Sequence, residues 1–225
     1  ILGLNILDIK SANGCTLELS NGDKILDFTS GIGVLALGHN HKKIIDVERK
    51  FQDLNIIDTQ KFGPNKLQAA LAYNLSQLLP EDLEVSFFAV SGAESVEAAI
   101  KLSTMAKDKG AKYFISATEG YHGKTLGALS LTDTENFSEG FHVGLPKENT
   151  KKIEYNNIQA YKDIITKLSK EKIIAIIIEP IQGQIVEVAK KNYLKEICAI
   201  SKKNNIIVIF DEIKCGLGRS GNLFS

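Results

Sequence analysis

Short apolar runs alternate with helical patterns through the second half of the chain, and no other feature constrains the fold as strongly. The clearest run, from Ile173 to Ile178, contains no polar side chain and ends at Glu179. Strands that are apolar on both faces and alternate with helices form parallel sheets that helices cover on both sides. The sequence therefore predicts an α/β fold with a mostly parallel sheet flanked by helices. We expect its strands over residues 85–90, 112–117, 173–178 and 206–210.

Turn and helix signals organise the rest of the chain. The pair Asn21-Gly22, between alternating apolar residues, predicts a hairpin over residues 15–28. We divide the chain into an N-terminal segment with the hairpin, residues 1–42, and a large domain, residues 43–225. Helical spacing of apolar residues predicts helices over 43–55, 94–108, 157–169 and 192–204, and a further one from Pro64 to Pro80.

The charge balance and the cysteine content exclude several classes of protein. Lys and Arg total 27, as do Asp and Glu, so there is no basic surplus to bind nucleic acid or an anionic membrane. No apolar run approaches the roughly 20 residues of a membrane helix. Three cysteines without metal-like pairing predict a cytoplasmic protein without a disulfide framework. His39 and His41 form an HxH pair without a third ligand, so we expect no metal site.

Small and polar residues follow the predicted strands, at the edge where parallel sheets bind ligands. Ser91, Gly92 and Ala93 stand between a strand and a helix, where small residues let backbone amides approach an anion. This arrangement favours a phosphate site. A plain helix cap at Ser91 beside an easy turn at Gly92 explains the same residues about equally well.

Three further residues near strand ends each admit two interpretations. Asp211 directly follows an apolar run, so its carboxylate needs a cationic or N–H partner, such as a cofactor ring nitrogen, unless it caps the next turn. Tyr121 offers a flat face for stacking on an aromatic ring, or it belongs to the core. His122 is a catalytic candidate, although a loop histidine between tyrosine and glycine is more often structural.

Taken in order along the chain, these signals resemble one family. The chain is similar to class III aminotransferases, which use pyridoxal phosphate on the fold type I scaffold, and most similar to their putrescine, ornithine and 4-aminobutyrate branches. Its SGAES motif also resembles dialkylglycine decarboxylase of the same fold. The matching runs are DFTSGIGVLALGHNH (27–41), VSGAESVEAAIKLS (90–103), EGYHGKTLGALS (119–130), IIIEPIQG (176–183) and FDEIKCGLGRSG (210–221).

The resemblance implies a role for each residue at the strand ends. The amides of Gly92 and Ala93 would hold the cofactor phosphate, and Tyr121 would stack on the pyridine ring. Asp211 would pair with the protonated ring nitrogen, which makes the ring an electron sink. The remaining cofactor-binding residues implied are His122 and Glu179 around the ring and Lys214 at the ring hydroxyl.

Lys124 and Gln184 are the substrate residues that the resemblance implies, and both depart from the family pattern. Lys124 replaces an arginine that many members use for a substrate carboxylate, and a lysine lacks the planar fork of arginine. Gln184 replaces a glutamate that neutralises this arginine in members acting on glutamate. We therefore expect an amine or ω-amino donor, rather than an α-amino acid, and a 2-oxo acid as acceptor.

The resemblance also implies parts that the sequence does not contain. The Schiff-base lysine is expected beyond Ser225, and the small C-terminal domain is absent, so we expect a fragment of an aminotransferase that works as a homodimer. Lys214 follows Asp211 too closely to reach the opposite side of the ring. Two alternatives stay open: a member of the same fold resembling dialkylglycine decarboxylase, and a non-catalytic fragment without the lysine.

Overall fold

A three-stranded antiparallel sheet and two helices are present in the described residues of the first part of the chain. The computed structural model describes residues 7–56, 63, 65–80 and 83–225. The chain up to Ser86 forms one compact unit, and the chain from Phe87 onward forms a second. The elements of the first unit are β1 (Ile9–Asn13), β2 (Thr16–Leu19), β3 (Lys24–Leu26), α1 (Lys42–Asp53) and α2 (Lys66–Ser76).

The predicted hairpin and both predicted helices are present in this unit. Strands β2 and β3 pair antiparallel, with Leu17 opposite Ile25, which confirms the hairpin. The helix predicted from Pro64 begins at Lys66, where the Asn65 side chain accepts hydrogen bonds from two backbone N–H groups, and Pro64 itself lies outside the described residues. Strand β1 was not expected, because its sequence IKSAN lacks an alternating apolar pattern.

Residues 30–33 form a left-handed turn after β3. All four residues have positive φ angles, including 64° at Ile32, a conformation that β-branched side chains rarely adopt. The Asp27 carboxylate holds the start of the turn, because it accepts the N–H groups of Thr29 and Ser30. Its other oxygen lies 2.8 Å from Nε2 of His39. These hydrogen bonds hold the pKa of Asp27 well below its usual range, the Thr29 hydroxyl contributing most.

The second unit is built on a four-stranded parallel sheet with the order β5-β4-β6-β7. This confirms the predicted α/β fold with a parallel sheet flanked by helices. The strands are β4 (Tyr113–Ala117), β5 (Thr150–Ile153), β6 (Ile173–Ile178) and β7 (Ile207–Phe210). The helices are α3 (Gly92–Met105), α4 (Leu126–Leu131), α5 (Glu135–Ser138), α6 (Ile158–Leu168) and α7 (Lys191–Lys203).

Two apolar layers cover the two faces of this sheet. On one face, Ile176 and Ile178 of β6 pack with Tyr161 of α6 and Ile197 of α7. On the other face, Ile177 belongs to a cluster with side chains of α3 and α4. Every residue of β6 is buried, as its continuous apolar sequence predicts for a strand covered on both sides.

The strand predictions contain two errors, one strand that is absent and one that was not predicted. Residues 85–90 form no strand, and Val85 and Val90 are 93% and 96% exposed, because this segment pairs with no strand in the described part of the chain. Conversely, β5 was missed because its sequence TKKI is mostly polar. Strand β5 lies at a sheet edge, where lysines are common because they discourage pairing with other chains. Among the residues that the structure describes, no helix has the length and apolar content needed to cross a membrane.

Candidate active site

A cavity of about 510 Å³ opens where β4, β6 and β7 end. Its walls come from the start of α3, from the loop between β4 and α4, and from the residues after β6 and β7. Every residue that the resemblance implicates lines this cavity except Gln184, which is exposed and outside the lining. The lining residues are Gly92, Ala93, Tyr121, His122, Gly123, Lys124, Thr125, Glu179, Asp211, Ile213 and Lys214.

The start of α3 presents backbone amides to the cavity. Ser91 is the N-cap, and its hydroxyl accepts the N–H of Glu94 at 3.3 Å. The two residues between them, Gly92 and Ala93, occupy the first helical positions, whose N–H groups have no partner within a helix. The capping and the phosphate interpretations are therefore compatible, since the cap satisfies a different amide from the two that an anion would use.

Close packing explains the glycine at this helix start. A Cβ atom at Gly92 would lie 2.9 Å from Cγ2 of Ile213, well inside van der Waals contact. Gly123 is similarly constrained, because its φ is +124° and a Cβ there would lie 2.8 Å from the Cβ of Ala93. The two glycines thus let the loops after β4 and β7 approach the helix N-terminus.

A buried pair formed by His122 and Asp211 closes the floor of the cavity. Nδ1 of His122 donates to Oδ2 of Asp211 at 2.8 Å, and both side chains are at most 5% exposed. The second carboxylate oxygen accepts the N–H of Ile213 at 3.1 Å. Nε2 of His122 is buried and has no hydrogen-bond partner among the described residues. The Asp211 carboxylate is therefore fixed in position and faces the cavity with unused acceptor capacity.

Glu179 follows β6 and joins two loops at the cavity. One of its carboxylate oxygens accepts the N–H of Tyr121 at 2.9 Å, and the other accepts the N–H of Gly183 at 2.7 Å. Burial raises the pKa of Glu179, although these two hydrogen bonds oppose the change. The Gly183 carbonyl also accepts a hydrogen bond from Nζ of Lys214 at 3.0 Å. The loop after β6 is therefore bonded both to the loop after β4, through Glu179, and to the segment after β7, through Lys214.

An aromatic and cationic cluster adjoins the cavity at Tyr121 and Lys124. The ammonium of Lys124 lies 4.0 Å from the centre of the Phe137 ring. The Tyr121 and Phe137 rings meet edge to face, with their centres 5.8 Å apart. Tyr121 is half-buried and lines the cavity, and its ring is in contact with that of Phe137.

The donor set fits pyridoxal phosphate, the group that the resemblance implies. Free amides at a helix N-terminus suit a phosphate, a half-buried tyrosine ring suits a pyridine ring, and a fixed carboxylate suits a protonated ring nitrogen. The unpartnered Nε2 of His122 is an orphaned polar atom beside the same cavity.

Three lining or supporting residues were not predicted. Thr125 and Ile213 adjoin predicted residues in sequence, so their proximity to the site could have been inferred. Phe137 gave no usable signal, because residues 125–143 show no clear pattern. Its contacts with Tyr121 and Lys124 arise only from the folding of α5 toward the loop after β4.

Comparisons with known proteins point to the same family as the sequence motifs. The profile of the family described as Aminotransferase class-III matches residues 3–225. An acetylornithine aminotransferase of Methanocaldococcus jannaschii is 37% identical over 211 residues, covering 91% of this chain and 50% of that protein. A putrescine aminotransferase of Pectobacterium atrosepticum is 36% identical over 215 residues, covering 93% of this chain and 45% of that protein.

A solved structure shows the same fold. The adenosylmethionine-8-amino-7-oxononanoate aminotransferase of Methanocaldococcus jannaschii superimposes with a TM-score of 0.87 at 29% identity. The match covers 98% of this chain and 52% of that one. The chain thus spans about half the length of the curated relatives and of the solved structure that it matches.

Proposed function

Because the chain belongs to the class III aminotransferase family, we propose that it forms the cofactor-binding part of an enzyme that moves an amino group from an amine or amino-acid donor to a 2-oxo acid. The cofactor is pyridoxal phosphate. One observation carries the proposal: a single cavity brings together the amides at the start of α3, the Tyr121 ring and the fixed Asp211 carboxylate. The residues that bind the cofactor in this proposal are Gly92, Ala93, Tyr121, His122, Glu179, Asp211 and Lys214.

Asp211 holds a proton on the cofactor ring nitrogen. Its carboxylate is buried and oriented by His122 and by the Ile213 amide, so its negative charge acts at short range in a weakly solvated site. A fixed anion there favours the protonated state of a facing nitrogen. When bound, pyridoxal phosphate supplies the electron sink for the electrons released as the substrate Cα proton leaves.

The other residues orient the cofactor and shape the cavity. The amides of Gly92 and Ala93 bind the phosphate at the helix N-terminus, and the Tyr121 ring stacks on the pyridine face. Glu179 fixes the backbone of Tyr121, and so sets where that ring stands. Lys214 reaches the same region, with its ammonium bound to the Gly183 carbonyl.

Lys124 and Gln184 favour an amine or ω-amino donor. Lys124 supplies a point charge where a bidentate carboxylate clamp would need arginine. Gln184 is neutral and lies outside the cavity lining. Sequence identity to the relatives does not discriminate between donors, because the acetylornithine and putrescine aminotransferases are almost equally similar to this chain, at 37% and 36% identity.

The same proposal includes the assembly and the missing catalytic group. A lysine that exchanges protons at the substrate is supplied from outside residues 1–225, and the enzyme works as a cytoplasmic homodimer. Residues 1–42 act as an N-terminal segment and residues 43–225 as the cofactor domain.

A specificity panel on the complete protein tests the proposal. Bound pyridoxal phosphate is followed by its absorbance, and amino transfer to 2-oxoglutarate is measured with putrescine, cadaverine, 4-aminobutyrate, ornithine and acetylornithine. We expect a bound cofactor and a higher kcat/KM for the amines and 4-aminobutyrate. Absence of transfer with every donor would overturn the function. A tenfold preference for acetylornithine or ornithine, about 1.4 kcal/mol in the transition state, would overturn the choice of donor alone.

A further inference from the structure

Phe137 touches two residues of the cavity wall although it does not line the cavity itself. It lies in the short helix α5, and its ring centre is 4.0 Å from the Lys124 ammonium and 5.8 Å from the centre of the Tyr121 ring. Lys124 is exposed, and no carboxylate is paired with it in the described residues. Its charge is therefore held in place by an aromatic face.

A cation on an aromatic face is held in place, yet it can still bind a carboxylate. The contact with Phe137 lies at an exposed site, where a ring holds a cation less tightly than a buried carboxylate does. A carboxylate that entered the cavity would have to draw the ammonium away from the ring or share it. An amine substrate without a carboxylate at this position would face no such competition.

We propose that Phe137 is a specificity-determining residue, which holds the Lys124 ammonium on its ring and so weakens the binding of substrate carboxylates relative to amines. This inference rests on the proposed function, because it assigns Lys124 to the substrate side of the cavity. It explains how a cationic residue in the wall is compatible with an amine donor. The carboxylate of the 2-oxo acid acceptor can still bind the Lys124 ammonium, but the ammonium must then leave the Phe137 ring.

The contact between Phe137 and Tyr121 gives a second, separable effect. The edge-to-face arrangement of the two rings supports the Tyr121 side chain. Loss of the Phe137 ring would therefore loosen both neighbours. Only the effect of Phe137 on Lys124 depends on a charge. A variant without the Lys124 charge therefore retains the effect on Tyr121 alone.

A double-mutant cycle on the complete, cofactor-loaded protein tests the proposal. The variants are Phe137→Leu, Lys124→Met and the two together, and the probe is glutarate, a dicarboxylate that cannot react, titrated by calorimetry. We expect Phe137→Leu to tighten glutarate about threefold, the size of a released cation–π contact. In the Lys124→Met background the same substitution should leave the glutarate Kd unchanged. Phe137→Tyr keeps an aromatic face and should behave like the parent.

A labelling experiment gives a readout that needs no cofactor. The acetylation rate of Lys124 is followed by peptide mass spectrometry, with the exposed Lys101 as an internal reference. Phe137→Leu should speed the labelling of Lys124 about threefold relative to Lys101, since the ring, whose centre lies 4.0 Å from the ammonium, shields one side of it. Phe137→Tyr should not change the labelling rate, and a lost fold would show as faster labelling of half-buried Lys152 as well.

The outcomes separate this inference from the proposed function. A parent protein that transfers no amino group and binds no pyridoxal phosphate would refute the function. An active parent in which Phe137→Leu changes the glutarate Kd equally in both backgrounds would refute the role of Phe137. Unchanged labelling of Lys124 in Phe137→Leu would refute the cation–π contact itself, whatever the activity.

Discussion

Replacing Asp211 with asparagine removes the negative charge and keeps the shape of the side chain. The substitution therefore tests the role of the charge alone. Asp211→Asn should keep the fold, because the Ile213 amide can still donate to the side-chain oxygen. The neutral amide would no longer favour a proton on the cofactor ring nitrogen. We expect kcat of the complete enzyme to fall about a hundredfold or more, by analogy with losing one preorganised electrostatic contact of about 3 kcal/mol.

The control for this substitution is the circular dichroism spectrum of the variant, which should match that of the parent. Activity within about threefold of the parent would rule out the assigned role of Asp211. The same measurement on His122→Gln tests the partner. Nδ1 of His122 orients the carboxylate at 2.8 Å, so this variant should lose less activity than Asp211→Asn.

Lys152 gives a pH prediction at the same scale. Its ammonium donates to the carbonyl of Leu131 at 2.5 Å and lies 4.0 Å from a carboxylate oxygen of Asp133. Burial lowers the pKa of Lys152 to about 8, although Asp133 opposes the change. The unfolded chain therefore holds this proton more tightly than the native protein does. Between pH 8 and the unfolded pKa near 10.5, the parent should gain stability as the pH rises.

Urea unfolding of the parent and of Lys152→Met over this pH range checks the expectation. The free energy of unfolding of the parent should rise relative to that of the variant from pH 8 to pH 10. Lys151→Met, at the neighbouring position in β5, is the matched control and should show no such trend. A constant difference between parent and Lys152→Met would mean that the Lys152 pKa is not lowered.

At the scale of elements, one buried hydrogen bond joins α6 to α7. The hydroxyl of Tyr161 lies 2.6 Å from that of Ser201, and both residues are fully buried. Tyr161→Phe would leave the Ser201 hydroxyl without a partner, and should lower the free energy of unfolding by about 1–3 kcal/mol. Ser201→Ala combined with Tyr161→Phe removes both polar groups and should recover part of that loss. Chemical denaturation measures the free energy of unfolding of the parent, the two single variants and the double variant. An equal decrease in the Tyr161→Phe variant and the double variant would contradict the argument.

The elements also show what a sequence can and cannot reveal. Strand β6 was predictable because burial on both faces demands an apolar residue at every position. Residues 85–90 satisfy the same rule at every position but Ser86 without being a strand, because strand formation also requires an adjacent edge to pair with. Strand β5 broke the rule, since an edge strand needs only one apolar side and tolerates lysines.

The candidate site follows the same division. Gly92, Tyr121 and Asp211 were predictable because each stands beside the end of a strand or the start of a helix, and the carboxyl ends of parallel strands meet. Phe137 was not predictable, because it reaches the site through a contact between α5 and the loop after β4. Sequence patterns report local periodicity, and such a contact leaves no period to detect.

At the scale of the whole molecule, cofactor binding should stabilise the native state by mass action. Pyridoxal phosphate at about 100 times its Kd should raise the free energy of unfolding of the complete protein by about 2.7 kcal/mol. Pyridoxal without the phosphate, at the same concentration, is the matched control. Its effect should be much smaller if the amides at the start of α3 bind the phosphate. Equal stabilisation by both compounds would move the phosphate away from Gly92 and Ala93.

The strand order β5-β4-β6-β7 has a consequence for synthesis on the ribosome. β4 emerges first, β5 then pairs with one of its edges, β6 with the other, and β7 with the free edge of β6. Each new strand therefore meets an open edge, and none has to insert between two strands that are already paired. The sheet can grow outward during translation in the order in which its strands leave the exit tunnel.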